Sequence, residues 1–159
     1  MPNSPRYFSR VSVTRPADTT AYAALDVVGP ATTGVLEFTN LAPSGGGAIV
    51  LLYASLMVDS AAVPSGMGQF KIHLYSSAPT AIADNAAFDL PSGDRTKYLG
   101  SITLGTPADL GATLFVEDDM IRKQVIATGS SLFAIAQTVS AFTPASATVQ
   151  NWTLSSVEA

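Results

Sequence analysis

The chain contains a single histidine, His73, so a Ser-His-Asp arrangement would have to be built on it. No serine stands in a GxSxG elbow, the turn that exposes such a nucleophile. His73 lies in QFKIHLY, where Phe70, Ile72 and Leu74 alternate with Gln69, Lys71, His73 and Tyr75. That period of two places it on the polar face of a strand, beside Lys71 and Tyr75, where it reads as an ordinary surface residue. The densest acidic cluster is Glu117-Asp118-Asp119. Three carboxylates can enter a calcium shell, which takes about six to eight oxygens. The run matches no EF-hand loop, and Arg122 and Lys123 follow it closely, so it reads as a solvated turn. Asp89 and Asp94 flank Pro91-Ser92-Gly93, but nothing sets them across a cleft as glycoside hydrolysis requires. Gly45-Gly46-Gly47 is followed by Ala48-Ile49-Val50, not by the Lys-Ser/Thr step of a phosphate loop. Trp152, the only tryptophan, could stack on a sugar, but a lone Trp in an apolar strand reads as core or interface. No catalytic residue, metal ligand or cofactor site is singled out, and the chain reads as non-enzymatic.

Three arginines are the remaining candidates. Residues 1–15 carry Arg6, Arg10 and Arg15 and no acid, a charge of +3. The rest carries five bases and twelve acids, a charge of −7. An acidic body argues against general nucleic-acid binding, which needs a basic surface to neutralise phosphates. The arginines are candidates for binding an acidic protein partner, because a guanidinium pairs bidentately with a carboxylate.

These residues need a scaffold, and the scaffold reads as β. The 159 residues suffice for one core. Charged residues make up 13%, against about 25% in an average soluble domain. Hydrophobic residues reach 47% and the mean hydropathy is +0.31. So apolar a surface predicts that part of it is covered by further copies of the chain. The longest nearly apolar run, Ala48–Val58, is eleven residues, short of the roughly 20 that span a bilayer. MPNSPRYFSR lacks the apolar core of a secretory signal. Without cysteine there is no disulfide framework.

Along the chain, Pro2, Pro5 and Pro16 bracket an extended basic arm over residues 1–15, in which Val11 and Val13 could form a short edge strand. A single β-sandwich domain follows over 16–159. Asp18 or Thr19 could cap a helical turn over Thr20–Ala24, and Asp84 another over Asp84–Phe88. Strands are expected at Gly34–Asn40, Ala48–Val58, Gln69–Tyr75, Lys97–Leu104, Ala112–Glu117, Ile121–Ala127, Ser131–Thr138 and Val149–Val157, with Gly100 as a possible bulge. With no strand–helix alternation, the fold is expected to be all-β. The expected form is an antiparallel, jelly-roll-like β-sandwich of about eight to ten strands with one or two short helical turns.

Together, TRPADTTAYAALDVVG (Thr14–Gly29), ADNAAFDL (Ala83–Leu90), YLGSITL (Tyr98–Leu104) and the terminal WTLSSVEA resemble small structural proteins of tailed bacteriophages, and among them the capsid decoration, or cement, proteins with jelly-roll-like β folds. The resemblance implies a homotrimer on the outer capsid surface, assembled in the host cytoplasm, that ties neighbouring subunits of the major capsid protein together. It carries no catalytic residue; the acidic body and the short apolar runs argue against a nucleic-acid or membrane partner. The arginine-bearing arm would then reach an acidic patch on the capsid. The alternative is a carbohydrate-binding or host-recognition β-sandwich of a phage tail or fibre.

Overall fold

The computed structural model describes residues 5–159, and within them the chain forms ten strands. They are β1 (Arg6–Thr14), β2 (Val35–Phe38), β3 (Gly47–Val58), β4 (Phe70–Tyr75), β5 (Tyr98–Leu104), β6 (Ala108–Asp109), β7 (Leu114–Asp118), β8 (Lys123–Ala127), β9 (Leu132–Thr138) and β10 (Val149–Glu158). All the pairings are antiparallel and the main ones nest. β4 pairs with β5, β3 with both β7 and β8, β2 with β9, and β1 with β10. One long antiparallel ribbon is thus rolled into two sheets, the jelly-roll architecture. The larger sheet runs β1-β10-β3-β7-β6, with β8 also on β3; the smaller runs β2-β9-β4-β5.

Period-two patterning decides which side chains meet between the sheets. Leu36 and Phe38 on β2, Phe70, Ile72 and Leu74 on β4, and Trp152 and Leu154 on β10 point into the same core. Trp152 is wholly buried, and Phe70 meets it edge-on with ring centroids 5.9 Å apart. Each such large side chain contributes about 1.5–3 kcal/mol relative to exposure. Gly100 sits at a bulge: Leu74 pairs with Gly100 but Tyr75 with Tyr98, and the glycine's φ of +90° is one that side-chain-bearing residues rarely adopt.

Neither expected helical turn forms. Asp18 Oδ1 accepts from the Thr20 N–H at 2.9 Å, an Asx turn rather than a helix cap. Tyr22 then exchanges backbone hydrogen bonds with Phe142, which holds this stretch extended. At the second site Asn85 takes φ +63°, ending any helix after one residue, and the Asp84 carboxylate is drawn inward. Among the described residues the one helical element is a 3-10 turn over Ser92–Asp94.

The basic arm is also corrected. Residues 1–4 of it lie outside the described residues. From Arg6 it is a strand of the larger sheet, paired with β10 in unbroken register from Arg6–Val157 to Thr14–Val149. The Tyr7 hydroxyl donates to Glu158 Oε1 at 2.6 Å, tying the start of β1 to the end of β10. The two valines were the visible part of a nine-residue strand. Before them the adjacent aromatics Tyr7 and Phe8 and the adjacent polar residues Ser9 and Arg10 interrupt any apolar alternation.

The two sheets differ on their outward faces. The smaller sheet is covered by chain segments 22–34 and 76–97, which pack Ile82, Phe88 and Leu90 over Val27, Tyr75 and Ile135. On the larger sheet Phe8, Met57 and Ile126 remain exposed.

Candidate interaction surface

The three candidate arginines part company. Arg15 is 3% exposed and sits at the end of β1, inside the protein. Its Nε donates to the Tyr22 hydroxyl at 2.7 Å, and that hydroxyl donates to Asp84 Oδ1 at 2.7 Å. Its Nη1 reaches the carbonyl oxygens of Asp18 and Ala145, and its Nη2 lies 3.7 Å from Asp84 Oδ2. The Gly29 N–H also donates to Asp84. Burial pushes the Asp84 carboxyl up, against the pull of Tyr22, Gly29 and Arg15. Burial likewise pushes the Tyr22 hydroxyl up, beside the Asp84 charge. Arg15 is therefore spent on joining the β1 end to the loops at residues 18–29, 84 and 145, and it is withdrawn as a partner-binding residue.

His73 is buried too, contrary to the surface reading. It lies on the outward face of β4, but segment 76–97 covers that face and stacks Phe88 on the imidazole, with centroids 3.8 Å apart and planes at 12°. Gln137 Nε2 donates to the Leu25 carbonyl, so its Oε1 accepts from His73 Nε2 at 3.0 Å. His73 Nδ1 then accepts from the Tyr98 hydroxyl at 3.0 Å. Burial holds His73 below its ordinary value of 6.5, opposed by the Gln137 bond. Both ring nitrogens are occupied, and among the described residues neither a serine nor a carboxylate bonds to them.

The acidic run is divided by the strand that carries it. Glu117 faces outward on β7 opposite Ser55, whereas Asp118 pairs with Ala54 and its Oδ1 accepts from the Met120 N–H at 2.9 Å. Among the described residues no three His, Cys, Asp or Glu side chains converge on a metal-sized site. Asp94 is buried, accepting from the Thr80 N–H at 2.7 Å and pairing with Lys97 at 3.1 Å. That hydrogen bond, opposed by burial and aided by Lys97, holds its carboxyl below the usual range. It is thus built into the loop that covers the smaller sheet. Trp152, the one tryptophan considered for stacking on a sugar, lies wholly in the core.

What remains open to a partner is the outward side of the larger sheet. Arg6, Phe8 and Arg10 alternate outward along β1. The pairing registers set Arg10 opposite Thr153, Thr153 opposite Ser55, and Ser55 opposite Glu117. This polar row crosses four strands with a cation at one end and an anion at the other. Arg10 Nε donates to Thr153 Oγ1 at 3.3 Å, so the guanidinium lies over β10. The neighbouring row holds Met57 and Phe115. The sequence reading found Arg6 and Arg10 but missed Phe8, Met57, Leu110, Met120 and Ile126, which are exposed. For Phe8 a signal existed: it sits between Arg6 and Arg10 at period two, so burying it would have buried both charges.

No protein-family model matches the chain, and no curated protein matches its sequence. Solved structures with a similar arrangement of strands include the capsid of the Helicobacter pylori bacteriophage KHP30, at 15% identity over 97% of this chain and 88% of that one, with a TM-score of 0.36. A lipoprotein of Bacteroides thetaiotaomicron is similar at 9% identity over 99% of this chain and 85% of that one, with a TM-score of 0.37. The vertex protein of PRD1 is similar at 12% identity over 95% and 97%, with a TM-score of 0.35.

Proposed function

We propose that the protein is a non-enzymatic virion structural component that decorates the outer surface of a phage capsid. It acts there as a homotrimer and cements neighbouring subunits of the major capsid protein, after assembly in the host cytoplasm. The observation that carries this reading is the uncovered larger sheet, which leaves Phe8, Met57 and Ile126 in solvent on a domain with few charges. Exposed apolar residues grouped on one sheet mark an association surface. The kind of assembly is taken over from the resemblance read in Thr14–Gly29, Ala83–Leu90 and Tyr98–Leu104 and is part of the proposal. Several weak contacts presented together give avidity that a single contact lacks, which suits a cement bridging repeated subunits. Of the three arginines, Arg6 and Arg10 remain available to an acidic partner.

The test is co-sedimentation of purified protein with assembled capsids of the phage that encodes it, and with isolated major capsid subunits. Binding to shells and not to free subunits is expected. Binding to neither overturns the reading, and selective capture by a glycan array replaces it with the host-recognition alternative.

A further inference from the structure

The larger sheet is open. Among the described residues β1 pairs only with β10, and β6 only with β7, so each end of the sheet offers a free edge. Free edges in monomeric proteins are commonly blunted by lysine, proline, bulges or shortness. Of these devices β1 has only charge, in Arg6 and Arg10: it is nine residues long, holds no proline or lysine, and pairs with β10 without a register shift. It also leaves Phe8 61% exposed.

The opposite end answers it in both charge and apolar surface. β1 carries Arg6 and Arg10 and no acid, a charge of +2. Residues 105–122 carry Asp109, Glu117, Asp118 and Asp119 against Arg122, a charge of −3. The turns flanking β7 present Leu110 at 65% and Met120 at 73% exposure. Pairing two β1 edges around a two-fold axis centred on Phe8 would set Arg6 against Arg10, and pairing two β6–β7 edges would bring two acidic stretches together. Like charges juxtaposed cost several kcal/mol. The head-to-tail combination is complementary, and a head-to-tail contact makes a ring when its rotation closes. Height along the strands also matches, because Arg10 and Glu117 share one cross-strand row. Rotation about an axis parallel to the edge strands preserves that height, so Arg10, once turned from Thr153 toward the edge, comes level with Glu117 of the next copy.

We propose that copies of this chain associate head to tail, the β1 edge of one (Arg6, Phe8, Arg10) against the β6–β7 edge of the next (Asp109, Leu110, Glu117, Met120), closing a ring about an axis parallel to the strands. The copy number of three rests on the functional reading above; the choice of edges rests on their charge and register.

The test is mass in solution by light scattering, with the full chain at low salt. The wild type is expected at three times 16.4 kDa. Arg10→Glu and Glu117→Arg each place like charges at the contact and are expected to raise the half-association concentration at least about ten-fold. The double reversal restores complementarity and is expected to recover the ring. Both side chains are exposed, and circular dichroism checks folding. Should either variant misfold, Leu110→Lys with Met120→Lys on the turns must dissociate the ring instead. A wild-type monomer or two-fold dimer overturns the proposal. So does a trimer that both reversals leave intact, an outcome that spares the virion reading. Failure to bind capsids overturns the virion reading without altering the mass.

Discussion

Replacing Arg15 by methionine removes a charge that the fold has enclosed. The side chain is 1% exposed, and Asp84, one of its ion-pair partners, is 4% exposed. Methionine fills much of the stem but leaves the Tyr22 hydroxyl without its donor, the Asp18 and Ala145 carbonyls with one bond fewer, and Asp84 with no cation. Breaking a buried pair by deleting one partner costs about 3–5 kcal/mol. For a domain of this length each kcal/mol lowers Tm by roughly 2–4 °C, so the loss should be about 6–20 °C. Urea unfolding followed by Trp152 fluorescence, at one fixed protein concentration because association adds stability, measures it directly. Asp84→Asn in the same background should return part of the loss, with a coupling of about 0.5–3 kcal/mol as for residues sharing one network. A cost below about 1 kcal/mol with no coupling, the behaviour of an exposed ion pair, would refute the enclosure of Arg15 and return it to the surface.

Two further predictions concern the loops over the smaller sheet. Because His73 is held below 6.5 when folded, the unfolded chain takes up a proton first as the pH falls through 6.5. Stability should therefore drop with acidification from that point, by at most about 1.4 kcal/mol per pH unit, until the folded His73 itself protonates. His73→Gln should flatten this slope below pH 6.5, and an unchanged slope assigns it elsewhere. Gly34 holds φ +60°, and a Cβ there would strike the Ile82 carbonyl oxygen and lie 2.7 Å from Val27 Cγ1. Gly34→Ala should cost roughly 2–5 kcal/mol, from left-handed strain of about 1–2 and overpacking of about 1–3. Gly45→Ala, with nothing within 4 Å, should stay within about 0.5 kcal/mol. Equal urea midpoints for the two variants would contradict this account.

The strands whose two faces differ in polarity were legible in the sequence. Leu36 and Phe38 against Glu37 and Thr39 announce β2, and the long run Ala48–Val58 announces the centre of a sheet, because these patterns follow from local periodicity alone. His73 was misassigned because periodicity reports a polar face and not whether another segment covers it. Here the cover comes from Phe88, fifteen residues further along. Asp18 and Asp84 have the chemistry of helix caps but are used otherwise, Asp18 in an Asx turn and Asp84 in bonds to Tyr22 and Gly29. Asp18 bonds its neighbour Thr20 and is drawn from helix by the bridge of Tyr22 to Phe142, whereas for Asp84 local propensity could not foresee partners so distant. Arg15 failed for the same reason: a charge near one end of a sequence reads as solvated until Tyr22, Asp84 and Ala145 are brought to it. The association surface was half legible, since Arg6 and Arg10 stand out in any count of charge. Their complement at Asp109 and Glu117 is visible only once the register across β10, β3 and β7 is known.

The nesting of the strand pairs sets an order in time. β4 and β5 lie close in sequence and can pair while the chain is still being made. Each surrounding pair must close a longer loop, which slows folding. β1 comes last: emerging early from the ribosome, it waits with its hydrogen-bonding groups unpaired until β10 has been synthesised. A chain interrupted before Val149 has no partner for β1 on the larger sheet and leaves β3 with one side bare. Such fragments expose long unpaired strand edges, the features that invite aggregation and chaperone capture. The rolled ribbon therefore acts as a check on completeness, since only a molecule translated through β10 can present a finished sheet for assembly.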